Sequence, residues 1–301
     1  MNLRPQALEN FVGQENLKPL IMAAIAKTKT DGKLWPNTLL FGPSGVGKTT
    51  LSRIICNEID YTWTAITASK ELTPPVLRRM LLNLDCRGYG PGGVWQPGAK
   101  KHLVFIDEVA ELKLSVWESV LYNATEDLQV YDEGGTVYWL PDMALICATT
   151  APYALPTPAL GRLSLQLHLQ PYSVADLITM ISRLYPSMTT DIAEEVARRS
   201  RGIARLALNF ADGVNDHGLA WFDVLGVNSQ GLNGLDLSYL DALASANGKS
   251  MSLNSIANVV RESPKTLAAF VEPELLRLGL ISIDAHGRAL VGLGRGAKIR
   301  E

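Results

Sequence analysis

Gly42-Pro43-Ser44-Gly45-Val46-Gly47-Lys48-Thr49 fits the phosphate-binding pattern G-x-x-x-x-G-K-S/T without a gap. The apolar run Thr38-Leu39-Leu40-Phe41 before it reads as a buried strand. Leu51, Ile54, Ile55 and Ile59 after it fall at helical spacing. A strand, a Gly-rich turn and a helix N-terminus aim successive backbone N–H groups at one point, where the helix dipole also favours negative charge. In such a loop Lys48 reaches the β/γ phosphates and the Thr49 hydroxyl faces Mg²⁺, with Thr50 next to it in the nucleotide site. The segment predicts a nucleoside triphosphate site.

The second half of such a site is a strand ending in carboxylates. His102-Leu103-Val104-Phe105-Ile106 is a continuous apolar run of the kind found in buried parallel strands, and it ends in Asp107-Glu108. In that position Asp107 holds the Mg²⁺ shell, often through water, and Glu108 polarises the attacking water. Magnesium-dependent hydrolysis of the bound nucleoside triphosphate is the expected chemistry.

Composition agrees with an intracellular enzyme. The 301 residues suggest two or three domains, and at 47% hydrophobic and 19% charged the chain can bury substantial cores. A net charge of −2 gives no overall basic footprint, which says nothing about local patches. Cys56, Cys86 and Cys147 are odd in number and widely spaced, and read as reduced thiols, not as a disulfide frame or zinc site. Met1 to Gln14 carries Arg4, Pro5 and Glu9 where a secretory leader needs an apolar run. No apolar run approaches the roughly 20 residues of a bilayer span. A cytoplasmic location is expected.

Organisation follows from pattern. From about Phe11 to Pro156, strand-like and helix-like segments alternate as an α/β sheet requires. The expected elements are helix 17–27, the nucleotide strand and helix, strand 62–67, helix 75–84, the Asp107-Glu108 strand and helix 115–124. A short hairpin around Glu133-Gly134-Gly135-Thr136 and strand 143–149 follow, and the Pro-rich 152–158 ends this part. From Tyr172 to about His217 the pattern is helical, with Ser173 a plausible N-cap, Asp176 three residues on and Gly202 a helix stop. Residues 225–234 read as a linker. The last segment shows a Leu237, Leu240, Leu243 stripe, a second helix over 251–260, and a third capped by Ser263-Pro264. Leu267, Phe270, Val271, Leu275 and Leu278 share a face of that third helix. Strands 280–284 and 288–291 close it. Three helices plus a hairpin is the winged-helix variant of the helix-turn-helix, which binds DNA or mediates protein contacts. Arg288 in the wing and Arg295, Lys298 and Arg300 in the tail are its DNA-contact candidates.

These segments carry a resemblance. Leu3-Arg4-Pro5, Phe11-Val12-Gly13-Gln14-Glu15-Asn16, Leu40-Phe41-Gly42-Pro43, Phe105-Ile106-Asp107-Glu108 and Ala148-Thr149-Thr150 look like the RuvB family. So do Arg199-Ser200-Arg201-Gly202 and the end piece Glu272-Pro273-Glu274-Leu275-Leu276-Arg277-Leu278-Gly279. The similarity runs in order from about Leu3 to Val291. RuvB proteins are hexameric AAA+ motors that drive branch migration of Holliday junctions. The resemblance implies an α/β AAA+ P-loop ATPase domain over 1–157, a small all-α lid over 158–230 and a winged-helix DNA-binding domain over 231–301.

It also implies roles. Thr150 resembles sensor 1, Arg205 in Gly202-Ile203-Ala204-Arg205 resembles sensor 2, and Phe11 and Val12 resemble the lining of the adenine pocket. Arg162 resembles the arginine finger that reaches a neighbouring subunit's site. The family usually has Pro where Ala204 stands, and two arginines two residues apart where this chain has Leu160 and Arg162. The family's hairpin that docks on RuvA is longer than 130–139 here, although Tyr131, Tyr138 and Trp139 offer an apolar tip. Cys86–Lys100 is a Gly-rich insertion with Tyr89 and Trp95 that either touches nucleic acid or stays in solvent. Lys70, Arg78 and Arg79 either follow a DNA backbone near a ring's central pore or form a solvated helix face. The expected function is an ATP-driven, ring-forming motor on junction or duplex DNA. The alternative is a helicase-loader or clamp-loader type switch that remodels a protein partner.

Overall fold

The computed structural model describes residues 5–84 and 100–291. Cys86 to Ala99 of the insertion, with Tyr89 and Trp95, and Arg295, Lys298 and Arg300 lie outside the described residues. The chain forms two compact units, one of Met1–Leu184 with Gly202–Leu206 and the other of Tyr185–Arg201 with Ala207–Glu301.

The first unit is built on strands β1 (Thr38–Phe41), β2 (Thr62–Thr67), β3 (His102–Asp107), β4 (Gln129–Tyr131), β5 (Val137–Trp139), β6 (Met143–Thr149) and β7 (Leu165–His168). Five of them form one sheet in the order β2-β3-β6-β1-β7, all neighbours parallel. The inner strands are mostly apolar because both faces of a parallel sheet are covered; every residue of β6 is buried. Parallel neighbours need crossovers. The helices Lys48–Glu58 and Pro74–Leu82 are two of them, and the first packs on β2, β3 and β6. β4 and β5 pair antiparallel as a separate two-stranded hairpin.

Two elements differ from the sequence reading. β7 was not expected, because Leu165-Gln166-Leu167-His168 follows the Pro-rich stretch and alternates as an edge strand does. The expected single helix over 115–124 is interrupted: a π-helical turn at Trp117–Leu121 separates helical turns at Leu114–Val116 and Tyr122–Glu126. That turn buries Trp117, Val120 and Leu121 in the cluster that also holds Leu77, Val104, Leu145 and Ala159.

In the second unit, helix Thr190–Arg199 is capped by the Thr189 hydroxyl, and helix Gly234–Ser245 by a reciprocal Asn233–Asp236 box. Helix Leu253–Val260 and a third helical segment follow, the latter starting at Pro264 with Ser263 as its cap and ending at Arg277. Strands β8 (Ile281–Asp284) and β9 (Gly287–Leu290) form the wing, and Met251 bridges to Arg288 beside it. Leu240, Leu243, Ile256, Leu267, Val271 and Leu275 make the core. Phe270, expected on the buried face, is 77% exposed: in the π-helical turn Leu267–Val271 the side chains that enter the core are Leu267 and Val271. Among the described residues no helix is long and apolar enough to cross a membrane.

Trp117 is 1% exposed in the centre of the first unit's core. Trp117→Ala is expected to destabilise that unit by about 3–5 kcal/mol, the usual cost of emptying an aromatic core position. Thermal melting of the purified variant checks this, with a fall in Tm as the expected result.

Candidate functional site

The phosphate loop lies between β1 and helix Lys48–Glu58, as its sequence requires. Gly42, Gly45 and Gly47 have φ of 143°, 79° and 98°, a region that side chains rarely adopt. A Cβ at Gly42 would also lie 2.2 Å from the Leu169 carbonyl oxygen, so β7 seats this end of the loop. Lys48 is 6% exposed, and its ammonium donates to the carbonyls of Gly42 and Pro43 at 2.9 Å each. Burial pushes its pKa below the ordinary lysine value, while the carboxylates of Glu108 and Asp107 pull it back up. Two acidic neighbours thus favour the charged form of a buried cation.

The acidic pair comes from the other side of β6. Because β6 pairs with β1 and with β3, the carboxyl ends of all three strands lie on one edge of the sheet. There the Thr49 hydroxyl approaches Asp107 Oδ2 at 3.4 Å. Glu108 sits in the left-handed region at φ 50°, and its N–H donates to Asp107 Oδ1 at 3.1 Å. An uncommon backbone conformation at a candidate base is the kind of strain that clusters at working sites. Thr150 is exposed and follows the last residue of β6, at the edge where β1 and β3 also end. Its neighbour Thr149 is fully buried and accepts the Ala151 N–H at 3.0 Å.

The adenine-side residues also converge. Phe11 is 4% exposed and half-buried Val12 follows it. A Cβ at Gly47 would lie 3.4 Å from the Phe11 ring and 3.1 Å from the Tyr172 hydroxyl. Sequence reasoning missed Tyr172, whose hydroxyl donates to the Val46 carbonyl at 2.9 Å and so braces the loop from behind. It missed Gln14 as well. The Gln14 amide donates to the Gln170 carbonyl at 2.6 Å and accepts the Gln170 N–H at 3.0 Å, which ties the N-terminal segment to the exit of β7. Gln14, Gln170 and Tyr172 line a cleft of about 250 Å³. The N-cap expected at Ser173 is formed, and Asp176 answers it reciprocally, which fixes the helix that starts beside Tyr172.

Arg205 belongs to the same unit as the loop. Its N–H donates to the Gly45 carbonyl at 3.2 Å, and its positive charge opposes protonation of Lys48. A Cβ at Gly45 would meet Ile203 at 2.8 Å, so segment 203–205 lies directly against the loop. Ser44 and Thr50 complete the loop and the first turn of its helix.

Arg162 ends the short helix Thr157–Arg162. Its guanidinium stacks 4.3 Å over the Tyr122 ring, pairs with Glu126 Oε1 at 2.9 Å and donates to the Pro158 carbonyl. Among the DNA-contact candidates, Lys70 and Arg79 are exposed and Arg78 is half-buried. Arg288 is engaged elsewhere: its Nε is 2.8 Å from Glu272 Oε1 and its Nη2 donates to Glu272 Oε2 at 3.3 Å. Arg288 is thus held at the wing in an ion pair with a buried carboxylate.

Two outcomes follow from this geometry. Tyr172→Phe strands the Val46 carbonyl and is expected to cost about 1–3 kcal/mol locally; a titration with a fluorescent ATP analogue would register this as weakened affinity. Arg288→Ala leaves the buried Glu272 with the Tyr239 hydroxyl but without its cation, and because that arginine is partly exposed the expected cost is about 1–3 kcal/mol. Calorimetry should find the winged-helix transition at a lower temperature.

Comparison with known proteins agrees with the architecture. The sequence profile of the Holliday junction DNA helicase RuvB P-loop domain matches residues 3–169, and that of the RuvB C-terminal winged helix domain matches residues 229–296. The Holliday junction branch migration complex subunit RuvB of Helicobacter acinonychis (strain Sheeba) is 33% identical over 313 residues, covering 96% of this chain and 88% of that protein. The corresponding subunit of Sulfurimonas denitrificans is 31% identical, with the same coverage of 96% and 88%. The solved structure of the Thermotoga maritima RuvB Holliday junction branch migration motor superposes with a TM-score of 0.80 at 29% identity, covering 96% of this chain and 95% of that one. With both domain profiles matched in order and relatives aligned almost end to end, this chain belongs to the RuvB family.

Proposed function

We propose that this protein is an ATP-driven motor that moves Holliday-junction or duplex DNA, working as a ring of identical subunits. The observation that carries the reading is the convergence of Lys48, Thr49, Asp107 and Arg205 on one phosphate loop within a single unit. Membership of a family whose solved member is named a branch migration motor supplies the substrate class.

In this reading the loop N–H groups from Gly42 to Gly47 take the phosphates, and Lys48 exchanges its two carbonyl partners for β- and γ-phosphate oxygens. The donor set suits Mg²⁺: a threonine hydroxyl beside one carboxylate offers hard oxygens and leaves room for water and phosphate ligands. Bound there, the ion would neutralise charge developing on the phosphates. Glu108 then takes a proton from the attacking water, and Thr150 orients that water or the γ-phosphate. Phe11, Val12 and Tyr172 hold the base side of the nucleotide. Arg205 reports the nucleotide's state from segment 203–205. Arg162 serves the next subunit, which requires an assembly of copies, a hexamer by family resemblance. Tyr122 and Glu126 hold its guanidinium ready until that neighbour docks. Of the lid expected over 158–230, Leu165–His168 belong to the nucleotide sheet, so the lid helix Thr190–Arg199 and the winged-helix domain over 231–301 carry the motion to DNA, with Lys70, Arg78 and Arg79 as pore contacts. A RuvA-like partner would dock on 130–139, where Val137, Tyr138 and Trp139 are exposed.

ATP turnover with and without Holliday-junction DNA tests the proposal. Junction or duplex DNA should stimulate the parent strongly. Lys48→Ala should lose about 10²-fold or more in turnover, as when a preorganised donor to developing charge is removed. Arg162→Ala should lose about 10³-fold, and mixing it with Lys48→Ala should restore part of the activity because each subunit supplies what the other lacks. Stimulation by a protein partner alone, with no DNA effect, would replace the motor with a loader-type switch.

A further inference from the structure

The second unit holds two arginines on one pair of helical segments. Helix Gly234–Ser245 contributes Asp236 and Tyr239, and helix Glu272–Arg277 contributes Glu272 and Glu274. Arg288 of the wing pairs with Glu272, which also accepts the Tyr239 hydroxyl at 2.6 Å. Arg201, two residues past helix Thr190–Arg199, takes the other acids: its Nη1 is 3.2 Å from Asp236 Oδ2 and its Nε is 3.5 Å from Glu274 Oε1. Arg277 completes the contact by donating to the Arg201 carbonyl while pairing with Glu274. The backbone and the side chain of Arg201 are therefore both fastened to the winged-helix segments. Asp236 is 1% exposed and also caps its helix, so this is a buried joint and not a solvated surface pair.

The position of Arg201 in the chain gives the joint its consequence. Arg201 is the last residue of its stretch of the second unit, and Gly202 is the first of five residues, Gly202–Leu206, that belong to the nucleotide unit. In that unit the Gly202 carbonyl accepts the Tyr172 N–H at 2.8 Å, and the Arg205 N–H donates to Gly45 at 3.2 Å. Arg201 and Gly202 are both left-handed, at φ 53° and 79°, which turns the chain sharply at this point. Four residue steps from Arg201 to Arg205 reach at most about 14 Å when fully extended. The joint and the segment against the phosphate loop are thus separated by only four residue steps of chain.

We propose that Arg201 is a coupling residue: it fastens the winged-helix module to the lid helix Thr190–Arg199, so that displacement of Gly202–Arg205 at the phosphate loop is delivered to the DNA-binding module instead of dissipating in the lid. This rests on the motor reading above for its output, and on the ion-pair geometry alone for the joint itself.

The test uses the full-length chain, with Arg201→Ala and the milder Glu274→Gln. ATP turnover and DNA movement on a labelled junction are read together. Both variants should keep junction-stimulated turnover, while movement per ATP falls about tenfold for Arg201→Ala, within the range that such coupling contacts carry, and less for Glu274→Gln. Spin labels at Asp191→Cys and Asp241→Cys, both exposed positions, read the joint directly in a Cys86→Ser background. The parent should give one narrow distance, unchanged by a non-hydrolysable ATP analogue, and Arg201→Ala should broaden it. Proportional losses of turnover and movement would mean a merely structural role and overturn the proposal. So would a variant that keeps a narrow distance, or one whose movement is unimpaired. If the parent hydrolyses ATP but moves no DNA, the motor reading fails, and the distance measurement still decides whether Arg201 fastens the joint.

Discussion

Parallel pairing of β6 with β3 on one side and β1 on the other is the constraint on which the rest of this protein depends. Parallel neighbours bring their carboxyl ends to one edge of the sheet, and loops at that edge form the crevice where α/β proteins bind ligands. The register sets Phe41 beside Thr149, and Ile106 beside Cys147. The loop after β1, the acidic pair at the end of β3 and Thr150 after β6 are thus level with one another. Thr49 and Asp107 are 58 residues apart in the chain and meet across that edge. A shift of one residue in either pairing would send every inward side chain of the strand to the other face and separate them.

Electrostatics then dictates how the cations are held. Lys48 is buried at a cost that loop carbonyls and two nearby carboxylates offset. Arg162 is supported by an aromatic face and one carboxylate. Arg288 and Arg201 answer the carboxylates that the winged-helix segments carry inward. A buried ion pair contributes little net stability, yet losing one partner is costly. Such pairs therefore act as registration devices: they define which element sits on which.

The β7 strand and the residues around it show how packing supplies what a motif lacks. The Leu169 carbonyl fills the space a side chain would need at Gly42, and the Tyr172 hydroxyl braces the Val46 carbonyl from the far side of the loop. Gln14 closes the same corner with two hydrogen bonds to Gln170. The phosphate loop is thus shaped by residues more than a hundred positions away as well as by its own glycines.

Legibility divides along the range of the interactions. The loop Gly42–Thr49, the acidic pair Asp107-Glu108, strands 62–67 and 143–149, and the caps at Ser173 and Ser263 were readable in the chain, because each depends on neighbours a few residues apart or on an unbroken apolar run. The family itself was readable from motifs spread in order through all three segments. Tertiary structure alone decided the rest. β7 has too short and too alternating a pattern to declare itself, and only pairing with β1 makes it a strand. Phe270 fitted the apolar stripe of its helix but faces outward, because Leu267 and Val271 of the same turn fill the core and packing, not the period, decides which stripe residue enters it. Tyr172, Gln14 and the partners of Arg162, Arg201 and Arg288 could not be assigned from spacing. A side-chain hydrogen bond or ion pair needs its two groups within a few ångströms, and it is the fold that brings together residues 35, 36 or 126 positions apart.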